Sequence, residues 1–218
     1  MQTKIIFEDE YILVAEKGAG IASQRDKTND ESILCALEKQ YPYVGLVHRL
    51  DRTVGGVMVF AKTKEVTAIL SKQIQEKVFV KKYLAVVCGT GEKQKTLKDY
   101  LIKNQRLNFS KCVPKNTQNS KEALLNYECI ECFSTEQDSE LSLIKIDLLT
   151  GRHHQIRVQT ANAGIPIWGD TKYNEAFRHK KGFVNLALWA NHLEIQHPKT
   201  KKQIQFESSP HEVYPFVR

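Results

Sequence analysis

Short apolar runs alternate with polar turn-forming clusters along this chain, and helical spacing of apolar residues shows in few places. Residues 5–7 and 11–15 read as two strands joined by the acidic turn Glu8-Asp9-Glu10, and Gly18-Ala19-Gly20 then breaks the pattern. Residues 32–40 read as a helix and 56–61 as a buried strand. The clearest helix is 65–78, where Val66, Ile69, Leu70, Ile74 and Val78 recur near helical spacing and lysines fill the other face. A strand over 79–88 ends at Gly89. Residues 90–122 are polar, basic and short of apolar periodicity, and read as a loop-rich insert with one or two weak strands around 100–113. Residues 123–133 and 141–149 read as strands flanking a polar turn. Thr150-Gly151-Arg152 breaks the chain before a helix over 153–162, with Gly164 placed to end it. Residues 183–190 read as a strand, and 192–197 with 203–206 as a hairpin around Pro198-Lys199-Thr200-Lys201. Strands outnumber helices and their order is mixed, which predicts an α+β fold with a mixed, largely antiparallel sheet core and flanking helices.

Composition narrows the class. A chain of 218 residues, 41% hydrophobic and 26% charged, can bury a core as one large domain or two small lobes. No segment approaches the ~20 apolar residues of a membrane helix. The N-terminus has no signal-peptide pattern, because acidic residues follow too soon, and the expected location is cytoplasmic. The formal net charge of +7 suits a polyanionic partner such as RNA, although a basic protein can be merely soluble. Lys62, Lys64, Lys72, Lys77, Lys81 and Lys82 flank the helix over 65–78, and a second group of basic residues crowds the last quarter.

Candidate chemistry centres on His48-Arg49-Leu50-Asp51-Arg52-Thr53-Val54-Gly55-Gly56. One carboxylate stands between two arginines, and nearby cations favour its ionised form. The glycines permit a tight turn before the strand. A structural Arg–Asp pair closing a loop reads equally well from this segment alone. His153-His154 suggests a metal site, but no Glu or Cys ligand stands at useful spacing, so no metal is expected. The chain has five cysteines and no secretion signal, which implies reduced thiols. Cys129-Ile130-Glu131-Cys132 is a lone CxxC without the second pair a zinc site needs, in a segment that alternates like a strand, which would point the two thiols in different directions, so neither a metal nor a redox role is expected of it.

Three ordered segments resemble the RluA/RluD-type RNA pseudouridine synthase family. The first is His48-Arg49-Leu50-Asp51, with Val54 and Gly55 where the family usually has Thr and Ser. The second is Tyr83-Leu84-Ala85 in a strand ending at Gly89, and the third is Thr150-Gly151-Arg152-His153-His154-Gln155-Ile156-Arg157 followed by Gly164-Ile165-Pro166-Ile167, Gly169-Asp170 and Tyr173. Weaker matches are Lys17-Gly18-Ala19-Gly20, which lacks the usual proline, Leu186-Ala187-Leu188-Trp189-Ala190, where Trp189 replaces a His, and His197-Pro198.

The resemblance implies a single catalytic domain over 1–218, without the S4 domain many members carry, that converts uridine in ribosomal or transfer RNA to pseudouridine without cofactor. It implies Asp51 as the catalytic carboxylate, Tyr83 stacked on the uracil and Arg157 paired with Asp51, with Arg152 the second choice for that pairing. His48, Arg49, Arg152, His154 and Gln155 are the expected substrate-binding residues, and a monomer is expected. The alternatives are an inactive RNA-binding or RNA-chaperone module of the same fold, allowed by the departures at Gly18, Val54, Gly55 and Trp189, a glycosidase or nucleosidase, which needs a second carboxylate such as Asp170, and a structural protein without a site.

Overall fold

The computed structural model describes residues 3–25, 30–136, 138, 140–180, 184–210 and 213–216. In chain order the elements are β1 (Lys4–Glu8), β2 (Ile12–Lys17), α1 (Ile33–Glu38), β3 (Gly45–Leu46), β4 (Gly55–Ala61), α2 (Lys64–Gln75) and β5 (Val80–Cys88). There follow β6 (Gln94–Asn104), β7 (Phe109–Val113), β8 (Lys121–Phe133), β9 (Leu141–Leu148), α3 (Gln155–Asn162), β10 (Leu188–Gln196) and β11 (Gln203–Glu207). The chain divides into two compact units, Met1–Lys81 with Trp189–Pro210, and Lys82–Leu188 with His211–Arg218.

In the first unit the strand order is β1-β2-β4-β10, with β3 on β4 and β11 on β10. All these pairs are antiparallel except β4–β10, where Trp189 opposes Gly55 and Ala190 opposes Gly56 in a parallel register. The core joins Ile12, Val14, Val57, Val59 and Ala61 on the sheet to Val66 and Leu70 of α2. Thr63 starts α2 by accepting from the Val66 backbone N–H at 3.2 Å, and Ser32 does the same for α1 through Cys35. Gly55 and Gly56 are required where β4 meets β10. A Cβ on Gly55 would lie 2.1 Å from the Trp189 ring, and one on Gly56, at φ +129°, would lie 2.2 Å from the Ala190 carbonyl.

The second unit carries the order β5-β9-β8-β6-β7, antiparallel throughout. The mixed, largely antiparallel sheet of an α+β fold is thus present. The insert over 90–122 differs from expectation: most of it is strand, in β6, β7 and the start of β8. In β6 the two buried apolar residues, Leu97 and Leu101, stand four apart, so the alternation that marks a strand is diluted by polar residues. Leu101 packs with Ala123 and with Val158 of α3.

Helix α3 begins two residues later than expected, because His154 takes a left-handed conformation at φ 53°. His153 therefore does not share a helical face with Arg157. The strand expected over 183–190 begins at Leu188, and Phe183 lies outside the described residues. The thiols of Cys129 and Cys132 also depart from expectation, lying 3.5 Å apart. No described helix is long and apolar enough to cross a membrane.

Candidate active site

In the first unit, Asp51 is half-buried on the turn that precedes β4. The backbone of that turn is tied at every residue from 50 to 52. Ser23 Oγ accepts from the Leu50 N–H at 3.1 Å and donates to the Leu50 carbonyl at 2.8 Å. The Asp51 carbonyl accepts from the Val54 N–H at 3.0 Å, which closes a β-turn. The Arg52 carbonyl accepts from the Gly20 N–H at 2.9 Å and from Lys17 Nζ at 3.2 Å, and the Arg52 side chain pairs with Asp30 at 2.8 Å.

Lys17 was not singled out in the sequence, yet it organises this turn. Its side chain is fully buried, and Nζ donates to the carbonyls of Gly18 (3.0 Å), Ile21 (2.6 Å) and Arg52. An ammonium has three N–H groups, and here it meets three acceptors. Burial pushes its pKa down to about 7; the charge of Asp51 acts against this and that of Arg52 adds to it. The sequence signal for it is the Lys17-Gly18-Ala19-Gly20 turn itself.

The other candidates of this unit have separate surroundings. Arg49 is exposed. His48 is half-buried, and its Nε2 accepts from the Val59 N–H at 3.1 Å, so the ring is neutral with its proton on Nδ1. Burial, with Lys81 nearby, pushes its pKa down to about 3. The expected lysine run is partly neutralised within its own units: Lys62 pairs with Glu8, Lys72 with Glu76 and Lys82 with Asp147.

In the second unit, Tyr83 is buried on β5 opposite Ile146 of β9. Arg157 is buried on α3, and its Nε and Nη2 form a bidentate pair with Asp170 at 2.8 and 2.7 Å. Asp170 Oδ1 also accepts from the N–H groups of Lys172 and Tyr173, and the Tyr173 ring lies 5.3 Å from the Arg157 guanidinium carbon. Asp170 is therefore a structural carboxylate that fixes Arg157.

Gln155 is committed to its own turn. Its Oε1 accepts from Thr150 Oγ1 and from the Arg152 N–H, and its Nε2 donates to the Leu124 carbonyl. His154 is buried under the stacked His153 ring at 3.7 Å. The Tyr173 hydroxyl accepts from the Ser110 N–H and lies 2.9 Å from His154 Nδ1, within hydrogen-bond distance. Burial and the Arg157 charge push the His154 pKa down to about 2. Through these bonds the β6–β7 hairpin is anchored to the turn that starts α3. Arg152 is exposed, and its Nε donates to the Glu122 carbonyl at 2.9 Å.

A clamped carboxylate turn in the first unit and a buried Arg–Asp pair with a strand tyrosine in the second are carried on a mixed sheet. The model of the RNA pseudouridylate synthase family matches residues 11–162 of the chain, and the chain belongs to that family. It is 33% identical over 217 residues to the ribosomal large subunit pseudouridine synthase C of Pasteurella multocida (strain Pm70), covering 95% of this chain and 64% of that protein. It is equally 33% identical, over 224 residues, to the tRNA pseudouridine synthase C of the same strain, covering 94% of this chain and 90% of that protein. The chain thus spans a little under two thirds of the ribosomal relative. Among solved structures, human RNA pseudouridylate synthase domain containing 1 superimposes with a TM-score of 0.81 over 95% of this chain and 83% of that one, at 23% identity, a likeness of fold.

Proposed function

We propose that this protein isomerises uridine in structured RNA, ribosomal or transfer, to pseudouridine, with Asp51 as the catalytic carboxylate. The observation that carries the reading is the turn at Asp51, where Ser23, Val54, Gly20 and Lys17 hold successive backbone groups and so orient the carboxylate before substrate arrives.

The reaction exchanges bonds within one nucleotide. The N1–C1′ bond breaks, the uracil turns, and C5 bonds to C1′; C5 gives up its proton and N1 gains one, so composition and oxidation state are unchanged. No cofactor is called for by that balance. Asp51 acts either by attacking C1′ as a nucleophile or by removing the 2′ proton, and both routes need the ionised carboxylate. The target base is first flipped from its stack, at a cost of a few kcal/mol. The stacking role of Tyr83, buried on β5, rests on the family resemblance, and the exposed Arg49 and Arg152 suit the displaced phosphates. The assignment of Arg157 beside Asp51 rests on the family resemblance. Its bidentate pair with Asp170 makes it a fixed cation in any case. We read His48, His154 and Gln155 as positioning residues, because His48 is bonded to β4, which follows the Asp51 turn, and His154 and Gln155 are bonded at the start of α3, which carries Arg157.

The test is Asp51→Asn, which preserves shape and removes charge. Pseudouridine is mapped in RNA from cells carrying the wild-type gene, no gene or the variant, and purified proteins are assayed on the transcripts that contain the mapped sites. The expected result is a site formed by wild type alone, with RNA binding retained by the variant. Turnover by the variant overturns the role of Asp51, and release of free uracil would replace isomerisation by glycosidic hydrolysis.

A further inference from the structure

In β8 the ladder to β9 slips by one residue between Cys129 and Glu131: Cys129 faces Ile144, Glu131 faces Leu143 and Cys132 faces Ser142. Ile130 is the extra residue, and its side chain is exposed. In a regular strand residues three apart lie on opposite faces, but a bulge counts two residues as one. Cys129 and Cys132 therefore oppose residues two apart on β9 and share a face. Their sulfurs are 3.5 Å apart, with Cys132 exposed and Cys129 half-buried. A disulfide spans ~2.05 Å, so closure asks the sulfurs to approach by about 1.5 Å.

We propose that Cys129 and Cys132 form a redox-active dithiol that a low-molecular-weight disulfide oxidises to an intramolecular disulfide. The exposed Cys132 thiolate attacks one sulfur of the oxidant, here glutathione disulfide, and one glutathione thiolate leaves. The Cys129 thiolate then attacks the Cys132 sulfur of the mixed disulfide, and the second glutathione leaves as thiolate. The protein gives up two protons and two electrons, and the oxidant becomes two thiols. Burial holds the Cys129 thiol above the ordinary cysteine range, so the closing step quickens as pH rises. Ser142 supports the pair: its Oγ lies 3.5 Å from Cys132 Sγ and is itself fixed by the Gly91 N–H and the Gly89 carbonyl.

Two of the three remaining cysteines are internal controls. Cys35 accepts from Arg25 Nε at 3.2 Å and has a lowered pKa, through Ser32 and Arg25, which marks a thiol that reacts readily. Cys112 is pushed up to about 12 by burial, with Asp99 adding to it.

The reduced full chain is incubated with glutathione disulfide, remaining thiols are alkylated, and peptides are mapped by mass spectrometry. The expected result is a Cys129–Cys132 peptide lighter by two hydrogen atoms, with complete loss of alkylation at both positions and recovery on reduction. Cys129→Ser should stop at a glutathione adduct on Cys132, and Cys35→Ser should leave the disulfide intact. Free, alkylated thiols at both positions, or separate glutathione adducts on each, would overturn the proposal. The readout is independent of RNA turnover, so it stands or fails apart from the function proposed above.

Discussion

Two departures from the family pattern, Gly55 for the usual Ser and Trp189 for the usual His, meet in space, and this sets a double-mutant test. Trp189 is buried, its indole N–H donates to Ser208 Oγ at 2.9 Å, and Ser208 Oγ in turn donates to Glu16. A Cβ on Gly55 would lie 2.1, 2.6 and 2.7 Å from three carbons of that ring, distances no real contact reaches. The ring cannot yield without losing its hydrogen bond, so Gly55→Ser should cost ~3 kcal/mol, the upper part of the usual overpacking range. Trp189→His removes much of a buried ring and should cost ~3 kcal/mol by cavity formation. Independent effects would sum to ~6 kcal/mol. If the two positions are one packing solution, the space vacated by the indole accepts the serine. The double variant should then lose ~4 kcal/mol or less, a coupling of at least ~2 kcal/mol, well above the ~0.5 kcal/mol scatter of additive pairs. Urea unfolding of the four proteins measures this. Additivity would show that Trp189 does not dictate Gly55 and refute the reasoning.

Three further outcomes follow from the same geometry. Asp170→Asn should destabilise the second unit by ~3–5 kcal/mol, because it leaves the Arg157 charge buried without its carboxylate; an unfolding midpoint unchanged from wild type would refute the pairing. Lys17→Met leaves the Ile21 carbonyl without its amine donor, and an orphaned buried acceptor costs ~1–3 kcal/mol. Because Lys17 is lowered to about 7 in the folded chain against 10.5 as its ordinary value, the unfolded state binds the extra proton between those pH values. Its contribution to stability therefore rises with pH across that window, by up to ~1.4 kcal/mol per unit. The stability of wild type relative to Lys17→Met should improve from pH 7 to pH 9, and a flat difference would contradict the buried-amine account. His154 Nδ1 lies 2.9 Å from the Tyr173 hydroxyl, so His154→Ala should release that hydroxyl. The expected signature is faster hydrogen exchange at the Ser110 amide, which shares that hydroxyl, and unchanged exchange there would refute the network.

What the sequence shows and what it hides follow from how far apart the interacting residues stand. The strand expected at 56–61 and helix α2 are legible from local pattern: β4 is a continuous apolar run buried at every residue, and one face of α2 is apolar at helical spacing. Helix α3 has no such face, since six consecutive residues from Gln155 to Thr160 are buried. Its buried polar groups find donors and acceptors both far off and within the helix: Gln159 Nε2 donates to the Leu97 carbonyl and to Asp99, and Thr160 Oγ1 donates to the Ile156 carbonyl. It was visible only through its glycine punctuation and its motif, and the left-handed His154 that sets its start has no compositional mark. The CxxC thiols show the same limit, because one extra residue in a strand exchanges its faces, and the pairing that decides the bulge lies on β9.

At the candidate site the motif residues, Asp170 among them, are legible, and the pairings that hold them are not. Asp51 and Arg157 stand in recognisable words of sequence, whereas Ser23 holds Leu50 across 27 positions, Lys17 holds Arg52 across 35, and Asp170 holds Arg157 across 13. Those supports tolerate no simple spacing rule, since each joins a loop to an element laid down elsewhere in the chain. They also argue against treating the departures at Val54, Gly55 and Trp189 as decay. The lysine holds the Arg52 carbonyl within the Asp51 turn, and the Trp189 ring packs on Gly55 where that turn enters β4, so both hold the segment that carries Asp51.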